Sequence, residues 1–133
     1  MQFDLITLWT DDVPAMRDFY HDVLGLDVEV DLGFYVGFKS EHIAFAVCAR
    51  SVMQAVVGHP SYRDAVRGQS FQLSFPLDQP ADVDRVYEEI IAKGARPLQG
   101  PADMPWNQRA AFFVDPEGNI HELYAELEEL PTD

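Results

Sequence analysis

The sequence predicts an α+β fold of two βαβββ modules related by a pseudo-twofold, forming a cup-shaped mixed sheet with helices outside. Three observations carry that expectation. Alternating apolar runs and one amphipathic stretch follow the order strand, helix, three strands, and the order then recurs. The two helical stretches match position by position: Met16 with Val83, Tyr20 with Tyr87, and Leu24 with Ile91, each pair 67 residues apart in a chain of 133. Self-similarity at a fixed offset identifies a duplicated unit. Finally, a βαβββ unit buries only one face of its sheet under its helix, so the other face needs a second unit to complete it.

The elements follow in order. Phe3–Thr10 alternates and is rich in β-formers, which predicts the first strand. Asp11 or Asp12 can cap a helix whose Val13, Met16, Phe19, Tyr20, Val23 and Leu24 recur at helical spacing, and Gly25 can end it in the left-handed region. Three short strands are predicted near 27–31, 34–38 and 42–49. The stretch 50–69 carries Gly58, Pro60 and Gly68 and reads as a linker, with a short helix possible over 52–57. Next come a strand over 70–77 and a helix opened by Pro80, with Val83, Val86, Tyr87, Ile90 and Ile91 on one face and Gly94 beyond its end. A short strand near 96–98 and a hairpin complete the chain. The hairpin turns at Asp115-Pro116-Glu117-Gly118-Asn119, where Pro116 presets an early turn φ and Gly118 can take a positive one. The reading is one domain over 1–133: module one about 1–49, the linker about 50–69, module two about 70–126, and an acidic tail 127–133.

Composition excludes several classes. No run of about 18 apolar residues predicts a membrane span. Met1-Gln2-Phe3-Asp4 does not read as a signal peptide. Cys48 is the only cysteine and sits in an apolar run, which excludes an intrachain disulfide framework and predicts a buried thiol in a reduced, cytoplasmic setting. Nine basic against 23 acidic side chains give a net charge of −14, which repels phosphate backbones and excludes nucleic acid as a partner. The acidity serves solubility, or it attracts a cationic small molecule.

Two motifs carry a family resemblance. Asp12-Val13, then Phe19-Tyr20, then Leu24-Gly25 resembles the D-[LV]-x5-F-Y-x3-L-G opening of the vicinal oxygen chelate superfamily, the glyoxalase, bleomycin-resistance and extradiol dioxygenase group. Phe113 to Leu123 resembles its last hairpin, an aromatic residue followed by D-P-[DE]-G-N-x-x-E-L. The likeness runs from Leu5 to Glu126. Metal-dependent members hold a divalent ion with a His on the first strand of each module and a carboxylate on the last. Those positions fall here on Leu5, Gln72, Glu122 and Ala44, or Ala46 if a shorter turn shifts the register. Leucine and alanine have no donor atoms and an amide oxygen is a weak ligand, so the resemblance brings no metal and no cofactor. His21, His42, His59 and His121 all miss the ligand positions and read as surface or partly buried residues. His121 points to the sheet face opposite Glu122 because strand side chains alternate.

The same resemblance implies a cup lined by Leu5, Thr7, Trp9, Gln72, Ser74, Pro76, Glu122 and Tyr124, while Ile6, Leu8, Leu73 and Phe75 face the helices. Phe34, Tyr35 and Phe38 add aromatic surface, and Phe38 is expected to touch ligand. Trp106 stands in a segment similar to the P-W-G-R loop of bleomycin-resistance-type members, with Asn107-Gln108 in place of the glycine. Such a wall suits a planar aromatic or cationic organic ligand. The leading expectation is a metal-independent small-molecule-binding protein, similar to the antibiotic-sequestering branch, dimeric by analogy and with no nucleic-acid or membrane partner. The alternative is a glyoxalase-like lyase, isomerase or dioxygenase in which Glu122 is a catalytic base or part of a non-standard metal site.

Overall fold

The computed structural model describes residues 1–64, 68–69 and 71–128. The chain divides after Gly68 into two units. In the first, β1 (Leu5–Thr10), β2 (Val28–Asp31), β3 (Tyr35–Phe38) and β4 (Ala44–Ala49) form a sheet of order β1-β4-β3-β2. β1 runs parallel to β4, and the other pairs are antiparallel. Helix α1 (Val13–Asp18) starts at Asp12, whose carboxylate accepts the Ala15 N–H at 3.0 Å. It continues as one wide π turn over Phe19–Val23. Apolar residues three and four apart suit either winding, so the widening has no signature in the sequence. Its Tyr20 packs edge-on against Phe45, with ring centres 4.8 Å apart, and lies 6.0 Å from Phe38. That contact defines the covered face of this sheet: Leu8, Val36, Phe38, Phe45 and Val47, all buried.

The connector is more ordered than a linker. Arg50–Val56 forms α2, and Pro60–Tyr62 makes a 3-10 turn. Arg50 is buried, and its guanidinium donates to the Trp9 carbonyl at 3.3 Å and the Asp64 carbonyl at 3.4 Å, fastening the connector to the end of β1. The Tyr62 ring then meets the Trp9 ring edge-on at 5.3 Å.

The second unit repeats the topology. Strands β5 (Ser74–Pro76), β6 (Arg96–Met104), β7 (Gln108–Val114) and β8 (Ile120–Glu126) lie in the order β5-β8-β7-β6, with the first again parallel to the last. Helix α3 (Pro80–Ala92) begins on a proline, and the Asp82 carboxylate accepts the Gln79 N–H at 3.1 Å. Val83 and Ile90 are its buried residues. Arg109 of β7 reaches Asp84 of α3 at 2.7 Å and Asp103 at 3.0 Å, and its hydrogen bond holds the Asp84 carboxyl below the usual range. Among the described residues no helix is long and apolar enough to cross a membrane.

Two strands depart from expectation. β5 covers three residues rather than the span 70–77, of which Ser70 lies outside the described residues. Side chains extend its backbone pairing: the Gln69 amide bonds the Ile120 N–H at 3.0 Å and carbonyl at 2.7 Å, and the His121 ring accepts the Leu73 N–H at 3.0 Å. β6 runs nine residues instead of about three. Pro97 and Pro101 hid it, but β6 is an edge strand, where a missing N–H on the open side breaks no ladder.

The β7–β8 turn is organised by Asp115, which is 1% exposed. One carboxylate oxygen accepts the N–H groups of Glu117 and Asn119 at 2.9 Å each, and the other accepts the Asn119 side-chain amide at 2.8 Å. Gly118 takes φ 89°, as its place in the turn requires. Replacing Asp115 by Ala removes the shared acceptor of these part-buried donors and is expected to lower stability by about 2–4 kcal/mol in urea denaturation. An unchanged midpoint would contradict this account of the turn.

Candidate functional site

The contact of Arg109 with α3 shows which way the second sheet faces. Its β7 parity, with partners His121, Leu123 and Ala125 on β8, points toward the helix, so Glu122, Tyr124 and Glu126 point to the open face. Register places Ser74 beside Glu122 on one side and Phe112 on the other. The Ser74 hydroxyl donates to Glu122 Oε1 at 2.8 Å, and Gln72 Nε2 donates to the Ser74 hydroxyl at 3.3 Å. The three polar residues expected on this face therefore form one hydrogen-bonded row. Glu122 is 8% exposed, and among the described residues no cation pairs with it and Ser74 is its side-chain donor.

A buried histidine braces that row from behind. His121 is not a surface or partly buried residue as expected: it is fully buried among Phe71, Phe75 and Phe113, with ring centres 5.9–6.3 Å away. Because Nδ1 accepts the Leu73 N–H, the ring proton belongs on Nε2, which lies 3.6 Å from the Asp115 carboxylate. Leu73 in turn accepts the Glu122 N–H through its carbonyl at 3.0 Å. The sequence held a signal for this, since His121 shares strand parity with Leu123 and Ala125.

Trp106 stands in the turn between β6 and β7 and is 58% exposed. Its Nε1 donates to Gln108 Oε1 at 3.0 Å, and Gln108 Nε2 donates to Glu126 at 2.7 Å. Asn107 adopts φ 64°, so it takes a left-handed conformation that the family's glycine would take freely.

In the first unit, Leu5, Thr7 and Trp9 alternate onto the open face and pair with Ala44, Ala46 and Cys48. Phe38 does not join them. It is buried in the core, stacked on Phe45 at 5.3 Å, because β3 presents Tyr35 and Gly37 to the open face and Val36 and Phe38 to the helix. Phe38 is thus a core residue and not a ligand contact. Cys48 is buried, and burial pushes its thiol pKa up, which makes it a poor nucleophile.

Strand pairing also decides the position equivalent to Glu122. Thr7 pairs with Ala46 as Ser74, 67 residues later, pairs with Glu122, so the equivalent is Ala46, the second of the two registers. Leu5 and Ala46 have no donor atoms, which leaves one amide and one carboxylate. Among the described residues no group of three or more His, Cys, Asp or Glu side chains could hold a metal ion. The divalent ion of the family does not fit this set of residues.

The family model for the Glyoxalase/Bleomycin resistance protein/Dioxygenase superfamily matches residues 2–123. The chain belongs to this superfamily. An uncharacterized protein of Bacillus subtilis (strain 168), YraH, is 31% identical over 127 residues, covering 92% of this chain and 96% of YraH. A glyoxalase/bleomycin resistance protein/dioxygenase structure from Nocardioides superposes with a TM-score of 0.86 at 26% identity, covering 100% of this chain and 89% of that one. A lactoylglutathione lyase from Agrobacterium tumefaciens superposes at 0.73 with 26% identity, covering 93% of this chain and 92% of the lyase.

The two faces of β8 in this superfamily member should respond differently to substitution. His121→Ala removes a packed ring and the acceptor for Leu73, and is expected to cost about 2–4 kcal/mol in urea denaturation. Glu122→Gln keeps an acceptor for Ser74 and is expected to cost less than about 1 kcal/mol. The reverse order would show that Glu122 is structural.

Proposed function

We propose that this chain is a metal-independent small-molecule-binding protein that takes planar aromatic or cationic compounds, similar to the sequestering members of its superfamily. The observation that carries this reading is Glu122: a carboxylate 8% exposed, with one hydroxyl donor and no cation beside it among the described residues. A ligand cation would complete its pairing. Gln72, Ser74, Tyr124 and Trp106 are the further contacts proposed on the second sheet, and Leu5, Thr7 and Trp9 those on the open face of the first. The net charge of −14 favours cations as the molecules that approach.

A homodimer in a reducing, cytoplasmic setting belongs to the same reading, with no nucleic-acid or membrane partner. Exposed Phe3, Leu32 and Phe34 support an apolar surface for a second copy, and the lone buried thiol supports the setting. A second reading is a lyase or isomerase with Glu122 as general base, favoured by the carboxylate oxygen that Ser74 leaves uncommitted. Binding returns the ligand chemically unchanged, whereas an enzyme turns it over and slows on Glu122→Gln.

Calorimetric titration with planar aromatic cations tests the binding reading. The indole contributes roughly 1–2 kcal/mol to a desolvated cation. The charge-assisted contact adds roughly 1.5–3 kcal/mol. Glu122→Gln should weaken binding about ten-fold or more, and Trp106→Ala should do so for compounds long enough to reach from Glu122 to the β6–β7 turn. Equal affinity in the wild type and both variants would overturn the reading.

A further inference from the structure

The open face of β8 carries a second carboxylate that the site above does not use. Glu122, Tyr124 and Glu126 follow at every second residue and project from one face, which sets the two acids about 13 Å apart along the strand. Each acid has an aromatic neighbour. Glu122 stands opposite Phe112 across the sheet. Glu126 is joined to Trp106 through Gln108, whose amide donates to Glu126 at 2.7 Å and accepts the indole N–H at 3.0 Å. Between the two acids lies an uncharged stretch, Tyr124 flanked by Pro76 and Ala110.

Nothing on the unit neutralises this pattern among the described residues. Arg109 is taken by Asp84 and Asp103, Arg85 by Asp82 and Glu89, and Arg96 by the Asp115 carbonyl, while Lys93, at the C-terminal cap of α3, pairs with neither acid. Glu122 is 8% exposed with one oxygen bonded to Ser74, and its second oxygen meets no donor among the described residues. A buried acid with an uncommitted oxygen, followed at fixed distance by an exposed acid that the Gln108 amide links to an indole, is suited to two cationic groups and not to one.

We propose, resting on the binding reading above, that this face selects elongated dications. One cationic group sits on Glu122 between Ser74 and Phe112, the uncharged body crosses Tyr124, and the second group reaches Glu126 beside the Gln108 amide that holds Trp106. Length then becomes a specificity determinant, set by the four-residue spacing of the two acids along β8. A second charge held too close to the first gains nothing from Glu126.

Three probes test this by calorimetry: benzamidine, a bis-benzamidine whose cationic ends lie about 13 Å apart, and a shorter bis-benzamidine whose ends cannot span four strand residues. The long compound is expected to bind roughly ten-fold tighter than benzamidine, beyond the two-fold that two equivalent ends give by statistics. That gain should vanish in Glu126→Gln and shrink in Trp106→Ala, while Glu126→Gln leaves benzamidine affinity unchanged. The short compound should bind like benzamidine. If benzamidine binds through Glu122 but the long compound gains nothing, or keeps its gain in Glu126→Gln, the dication proposal is overturned and the binding reading stands. If benzamidine and both bis-compounds leave the wild type untouched, both fall.

Discussion

The parallel pairing of Ser74–Pro76 with Glu122–Tyr124 is the constraint on which the candidate site depends. Side chains in a strand alternate with a period of two, so a slip of one residue would turn Glu122 into the core and His121 onto the open face. A three-residue strand has few backbone bonds to prevent that. Side chains hold the register together with those bonds: Gln69 on both backbone groups of Ile120, His121 on the Leu73 N–H, and Ser74 on Glu122 itself. Asp115 extends the lock, since it shapes the turn that starts β8 and faces the imidazole that braces β5.

This bracing explains how a carboxylate stays in a nearly closed position without a cation. Removing a charge from water is unfavourable, and one hydroxyl donor offsets only part of the cost. The open face supplies what else there is, because Glu122 keeps an oxygen that the protein leaves uncommitted. Stability alone would favour an apolar residue there, and on β7 the same face carries Ala110 and Phe112. An acid placed at that point is the physical argument for a ligand. The exposed indole of Trp106, fixed by Gln108 and not by core packing, is a second feature with little role in folding.

Much of the fold was legible because repetition is visible without coordinates. The matched tyrosines Tyr20 and Tyr87 and the strand order of each half predict two modules, and both sheets take the same order. Parity predicted that Thr7, Ser74 and Glu122 share their open faces with Trp9 and Tyr124. It failed for Phe38, because an aromatic run, Phe34 to Phe38, does not announce which residues belong to the core until pairing with β4 sets the phase. The length of β6 was hidden by prolines that only an edge position tolerates, and edge position is a property of the sheet. Side chains that extend backbone pairing, such as Gln69, leave no periodic trace at all.

The central claim is that Glu122 is held open for a cation. A crystal structure with a planar aromatic cation bound tests it most directly. The account predicts the cationic nitrogen within hydrogen-bond distance of the Glu122 oxygen that Ser74 does not occupy, with Ser74 still donating to the other. A structure in which Glu122 pairs with an arginine or lysine of the protein, or in which the cation binds elsewhere and leaves Glu122 untouched, would contradict it.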